Sequence, residues 1–310
     1  MVENIKINKL PSKTWYWLGV NDSSLAWDKE KTVNLNEENI VVAEKSADNV
    51  TKVDVIGEDE YSVKSFEITA NAGSEVTVFE TYKTDHNLMV GTKIIVEKGA
   101  KVKLVQLNLT GNGSTIYSRV DADVKEDGRF EFVQLFLGQG DQYLDCKADL
   151  NGDRSSVKAD LAYIGQDSQR IDVNFIANQF GRNTESEINT DGALKDAATK
   201  IFRGTIDFKQ GATDSVGNEM EKVLLLGDDV VNKTIPIILC AEENVVGNHG
   251  ATIGDLDADT LFYFESRGID RQEAQNIMLR ANIEHVASLV NDEEFGEIVK
   301  ARLEEEMNGI

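Results

Sequence analysis

Along most of the chain, apolar residues recur at every second position. Val53 and Val55 alternate with polar neighbours, as do Val76 and Val78, Ile94 and Val96, and Ile171, Val173 and Phe175. Phe130, Phe132, Gln134 and Phe136 share one parity, and Ile206 and Phe208 continue the theme. In extended backbone, alternate side chains point to opposite faces. The region from about residue 51 onward therefore predicts strands with one buried face. One segment departs from this. Val102 and Leu104 share one parity, whereas Val105, Leu107 and Leu109 share the other. Either a bulge shifts the register there, or both faces of the strand are covered.

A longer rhythm overlies the short one. Turn glycines precede strand-like runs at Gly73, Gly99, Gly128 and Gly152, at spacings of 26, 29 and 24 residues. Units of this length, built from strands and turns alone, are short for a propeller blade and suit one coil of a β-helix. A β-sandwich with evenly spaced strands gives a similar pattern. The only prolines are Pro11 and Pro236. Such scarcity suits long ladders, because proline has no backbone donor to contribute.

After Asp255 the period becomes helical. Asp257 or Asp259 caps a helix holding Leu261, Phe262 and Phe264, which stops at Arg267-Gly268, where glycine suits a left-handed end. Asp270 and Glu273 form a capping box for a second helix with the stripe Ala274, Ile277, Met278, Ala281, Val286, Leu289 and Val290. Asn291 or Asp292 caps a third, with Phe295, Ile298, Val299 and Leu303 on one face. The predicted organisation is a short N-terminal segment (1–50), a β core (51–246) and a C-terminal helical domain (247–310). In the first part, Trp15-Tyr16-Trp17 reads as a cap over the end of the core or as a docking segment for another chain. Residues 29–49, acidic and polar, read as a mobile connection.

Composition narrows the function classes. At 310 residues the chain is long enough for a substantial core. A formal charge of −23, from 55 acidic and 32 basic residues, argues against general nucleic-acid binding and against docking on anionic lipid. Two cysteines, Cys146 and Cys240, make neither a disulfide framework nor a zinc pattern. Met1–Lys6 lacks an apolar leader and no apolar run reaches the length of a bilayer, so a cytoplasmic protein is expected.

Three histidines are present. His86 follows Thr84-Asp85 in a turn and His285 lies within a helix, so both read as structural or exposed. His249 stands between Asn248 and Gly250, where the backbone is permissive and the neighbours are small; metal ligation or proton transfer is open to it. No nucleophile elbow, His-Glu-x-x-His or phosphate-binding Gly-Lys loop occurs, and no catalytic residue is nominated. Carboxylates are abundant enough for glycosidase-type pairs, so a β-helix carbohydrate-active enzyme is an alternative, weakened by the missing export signal.

The run His249-Gly250-Ala251-Thr252-Ile253-Gly254, then Asp257, Leu261-Phe262-Tyr263 and Ser266-Arg267-Gly268-Ile269, resembles the C-terminal signature of the SufB/SufD family, which assembles iron–sulfur clusters. Leu10-Pro11-Ser12-Lys13-Thr14-Trp15 resembles the start of its short members. The resemblance implies a right-handed parallel β-helix with a small C-terminal helical domain. It implies a non-enzymatic scaffold subunit partnered by the ABC-type ATPase SufC and dimerising through its β-helix, around residues 220–246, with a SufB-type subunit or a second copy. His249 would be a candidate cluster or metal ligand and Cys240 a further one, while Leu261, Phe262, Tyr263, Arg267 and Gly268 would dock the ATPase. No tightly bound cofactor is implied, only a transient iron–sulfur cluster at the dimer interface. This chain has Val230 where SufB-type members carry a cysteine, Gly250 where they carry glutamate, and Gly247 where some SufD-type members carry a cysteine. These departures favour a SufD-like subunit over a self-sufficient, SufB-like homodimeric scaffold.

Overall fold

The alternating residues assemble into two parallel ladders. The computed structural model describes residues 1–14, 16–42, 44–45 and 49–308, the side chains of 306–308 excepted. A hairpin, β1 (Val2–Ile7) with β2 (Ser23–Asp28), precedes three lead-in strands, β3 (Thr32–Asn34), β4 (Glu38–Val42) and β5 (Val50–Gly57). Seven coils follow, each of two strands: β6 (Tyr61–Ala70) and β7 (Glu75–Thr84), β8 (Asn87–Val96) and β9 (Lys101–Asn108), β10 (Thr115–Val124) and β11 (Arg129–Phe136), β12 (Asp141–Leu150) and β13 (Ser156–Gly165), β14 (Arg170–Gln179) and β15 (Glu185–Leu194), β16 (Thr199–Phe208) and β17 (Ser215–Leu225), β18 (Val231–Cys240) and β19 (Val245–Gly254). Even strands from β6 to β18 form one sheet and odd strands from β5 to β19 the other, every pair parallel. The chain is a parallel β-solenoid, as its repeat suggests, and not a sandwich.

Stacking coils in register sends like residues into columns. Ile94, Ala122, Ala148, Ala177 and Ile206 form one such column. The inward columns of both sheets make a continuous apolar core, in which Phe130, Phe132 and Phe175 stack at centroid distances of 6.0 and 6.4 Å. The turn glycines serve two purposes. Gly99 supplies a left-handed φ of +65°, a role that Asp127 takes over at the equivalent turn of the next coil. Gly152 supplies close approach instead: a Cβ there would lie 1.8 Å from the Glu126 backbone nitrogen.

The 102–109 segment has both faces covered and no bulge. Its register with β7 and β11 is unbroken, Val102 and Leu104 face the core, and Val105 and Leu107 pack outward. What covers them is the helical tail: α1 (Ala258–Glu265), α2 (Arg271–Ser288) and α3 (Glu293–Asn308). Leu279, Ile283 and Val286 of α2 and Phe295, Val299 and Leu303 of α3 lie on Phe79, Val105, Leu107, Val133 and Leu135. Polar clamps reinforce this, with Lys103 Nζ donating to Leu289 O at 2.6 Å and Arg302 Nε to Leu137 O at 2.9 Å. The caps are Asp257, Asp270 and Asp292. The buried stripe of α2 is rotated from the expected one: Ala274, Leu279, Ile283, Val286 and Ala287 are buried, whereas Ile277 and Ala281 face out. Among the described residues no helix is long and apolar enough to cross a membrane.

The N-terminal hairpin lies on the outer side of the even sheet. Ile7, Leu25 and Trp27 pack on Tyr117 and Tyr143. Beside them sits a buried ionic cluster. Arg203 Nη1 bonds Asp172 at 2.5 Å, and the same carboxylate accepts from Asn8 at 2.7 Å and Ser23 at 2.5 Å. The carboxyl of Asp172 is held below its usual range: burial opposes this, but Arg203 and the hydrogen bonds outweigh it. Two expectations need correction. Residues 32–42 are not a mobile connection, since β3 and β4 both pair with β6 and Ile40 and Val42 pack against the core. The segment from 247 opens not as helix but as the remainder of β19, and helix begins at Ala258.

Candidate functional site at the open end of the solenoid

The ladder stops without a cap. β18 and β19 pair back to β16 and β17, and among the described residues no strand pairs with their far edges. A free edge presents a row of unpaired backbone donors and acceptors, which another strand satisfies best. β17, whose last residues fall in the 220–246 stretch expected to carry the dimer contact, is paired on both sides; among the described residues the free edges are Val231–Cys240 and Val245–Gly254.

Register decides which side chains face inward at this end. Gly247, His249 and Ala251 continue the columns of Gly217, Glu219 and Glu221. Glu219 is inward, with 3% exposure. The residue opposite it is Gly204, where a Cβ would meet the Glu219 carboxyl carbon at 2.4 Å, so only glycine leaves room for that carboxyl. His249 therefore stands one rung beyond a buried carboxyl, on the last strand, and is itself exposed.

Below it the interior is polar. Lys200 and Glu221 form a fully buried ion pair, and Lys200 Nζ also donates to Thr234 Oγ1 at 3.1 Å. Glu219 Oε2, Glu221 Oε2 and Asn232 Oδ1 have no hydrogen-bond partner among the described residues. Burial pushes the Glu219 carboxyl up to about 8; neighbouring Glu221 pushes the same way, and Lys200 only partly offsets them. The Lys200 ammonium is driven down by burial, against the pull of Glu221. This polar interior thus holds a carboxyl whose pKa is raised to about 8, one rung behind an exposed imidazole.

Cys240 occupies an inward position of the same coil, but over Phe208 at the end of β18, whereas His249 stands over Glu219. Cys240 is exposed and its thiol donates to Glu242 O at 2.9 Å. Among the described residues no group of three or more His, Cys, Asp or Glu is placed to hold a metal ion. Cys146 is core, its thiol pushed well up by burial. His86, in a turn, and His285, on α2, are exposed.

Beyond β19, Asp255 ties the strand end to α2, ion-paired with Arg271 and accepting from Gln275 at 2.9 Å. Between these anchors α1 stands out with no buried residue. Phe262 is 71% exposed, Tyr263 is exposed, and Leu261 is half-buried. Arg267 lies over the Tyr263 ring, 3.6 Å from its centroid, and Gly268 closes the helix at φ +80°. The five residues expected to dock a partner therefore sit on α1, which has no buried residue, and on the turn that closes it.

Sequence reasoning missed Lys200, Gly204, Glu219 and Glu221. A signal existed: Lys200 and Gly204 share the parity of Phe202, Ile206 and Phe208. Tyr16 and Trp17 do not cap the core; they are exposed, and Trp15 lies outside the described residues.

Comparison with known proteins places the chain in a family. Residues 53–282 match the family described as SUF system FeS cluster assembly, SufBD core domain. The chain is 27% identical to the iron–sulfur cluster assembly protein SufD of Bacillus subtilis over 218 residues, covering 68% of this chain and 50% of the relative. With SufD of Escherichia coli the identity is 24% over 242 residues, covering 76% and 57%. With an iron–sulfur cluster assembly SufBD family protein of Staphylococcus saprophyticus it is 27% over 226 residues, covering 70% and 48%. The chain thus matches about half the length of these curated relatives.

Proposed function

This chain belongs to the SufBD core family, and from that premise we propose that it is a SufD-like, non-catalytic scaffold subunit of an iron–sulfur cluster assembly complex. It pairs through the open end of its solenoid with a second β-solenoid chain, and it binds a SufC-type ABC ATPase through α1 and its cap. The observation that carries this reading is the union of two unsatisfied surfaces at one place: full-length strand edges at β18 and β19, and a helix with no buried residue directly after them. The nascent cluster is the cargo. His249, exposed on the last rung, offers one imidazole ligand from each chain that meets there.

The chemistry of this end suits transfer better than storage. A site meant to retain a cluster collects several thiolates on one chain, and here one imidazole stands above a carboxyl whose pKa is raised to about 8. Movement of the bound ATPases would be transmitted through α1 and Asp255 to β19, because that carboxylate links the strand end to α2. The test is co-purification with the ATPase encoded in the same cell. A stable complex, lost on Phe262→Ala with Tyr263→Ala, is expected; no complex with or without nucleotide would sink the proposal.

One observation favours a second reading, the self-sufficient SufB-like homodimeric scaffold: Cys240 is an exposed thiol on the same coil as His249. Reconstitution of the isolated chain with iron and sulfide separates the two. A visible chromophore that survives desalting and vanishes in Cys240→Ala supports the second reading. The carbohydrate-active alternative draws no support from the family match.

A further inference from the structure

From β10 to β16 the outer side of the even sheet is polar along three columns, Ile176 excepted. Arg119, Asp145, Asn174 and Arg203 lead to Ile235. Asp121, Lys147, Ile176 and Thr205 lead to Ile237, and Asp123, Asp149, Asn178 and Asp207 lead to Leu239. The change to aliphatic residues falls on β18, the strand at the open end of this sheet, and there they are only half-buried.

A second apolar feature is fixed to the same strand. The N-terminal segment climbs the even sheet strand by strand: Trp27 rests on Tyr61 of β6, Asn8 bonds Asp172 of β14, and Arg203 of β16 donates to Val20 O at 2.6 Å. At the top, Lys233 of β18 donates to Leu18 O at 3.1 Å. The helical turn Tyr16–Leu18 therefore sits beside the terminal strand, with Tyr16 and Trp17 exposed by 87% and 80%. Solvent-facing aromatics on a turn tied to the sheet by hydrogen bonds are a poor use of apolar surface in a chain alone, and a good one at an interface.

We propose that Tyr16 and Trp17 clasp a second copy of this chain, covering the Ile235–Leu239 side of the partner's terminal strand when the two open ends meet. This rests on the pairing of open ends proposed above and adds a residue set that the edges alone do not require. The occupant is a second copy because the surface is self-complementary. Two β18 strands running antiparallel place the Lys233 end of one, where the turn is pinned, beside the Leu239 end of the other. Each copy then supplies the turn that covers the other's aliphatic row, as a two-fold contact requires.

The experiment is the dimer dissociation constant by sedimentation, for the full chain and three variants. Tyr16→Ser with Trp17→Ser should weaken the dimer at least 10-fold while the thermal midpoint stays unchanged, since both side chains are in solvent in the monomer. Leu239→Asn, which extends the polar column onto β18, should weaken it in the same direction. Val246→Pro, aimed at the free edge of β19, tests the edge separately. An unchanged constant in the aromatic variant, with loss in the edge variant, overturns the clasp and leaves open-end pairing intact. A wild-type chain that stays monomeric yet binds the ATPase also overturns the clasp, and leaves the family role standing.

Discussion

The middle coils and the last coil are built from one repeat and put to opposite uses. In the middle, inward columns are mostly Val, Ile, Leu, Phe and Ala, and each strand is paired on both edges. At the end, the inward columns turn to Lys200, Glu219 and Glu221, then to His249, and one edge of each strand is free. A solenoid needs only nearest-neighbour contacts, so stability accumulates coil by coil and the final coil is released from supplying it. That release is what makes the end available as an interface. The middle has its own buried carboxyl, Glu80, but there the group is fully partnered, accepting from Tyr82 at 2.6 Å, Gln106 at 2.8 Å and Thr92 at 3.0 Å. Glu219 keeps one oxygen unpartnered.

The largest expected effect lies in the middle. Phe132→Ala removes a fully buried ring from the stack and should cost about 3–5 kcal/mol in a denaturant titration. Arg203→Ala, on β16, leaves the buried Asp172 paired only with the part-exposed Arg170 under the N-terminal hairpin and should cost about 3 kcal/mol. If Phe132→Ala proved neutral, the middle would not be the stabilising region.

A smaller effect distinguishes the two carboxyls by pH. A raised carboxyl pKa in the folded state means that the fold holds a proton the unfolded chain releases. For Glu219 the stability is fully present below its ordinary value of 4.5 and is lost as pH rises toward about 8. Glu219→Gln should flatten the fall in thermal midpoint over that window. Glu80, raised by burial as well, contributes in the same direction and remains in the variant. A variant whose midpoint falls with pH as steeply as the parent's would contradict the assignment. The smallest effect belongs to His249→Ala, an exposed position, which should change stability by under about 0.5 kcal/mol. Its consequence should appear in cluster handling by the assembled complex, not in folding.

The sequence announced the solenoid through two periods, because alternation marks strands and turn spacing marks coils. It announced the helical tail through its aspartate caps. The phase of α2 was not readable: Ile277 and Leu279 are equally apolar, and only the rotation of the helix about its own axis on the odd sheet buries one and exposes the other. The polar interior was hidden for a similar reason. Which parity of β17 faces inward depends on register with β15 and β19 some thirty residues away, and Glu219, Met220 and Glu221 look like an ordinary solvated strand. His249 stood out through its glycine-rich surroundings and family likeness, whereas its place over Glu219 emerged only from stacking.

Amide hydrogen exchange, measured on the chain alone in dilute solution and again with the ATPase at concentrations that drive assembly, tests the division between middle and end most directly. The account predicts new protection confined to Val231–Gly254 and to α1 with its cap through Gly268, with the middle coils already slow in both states. Protection gained along the middle coils while the last coil and α1 stay fast would contradict it.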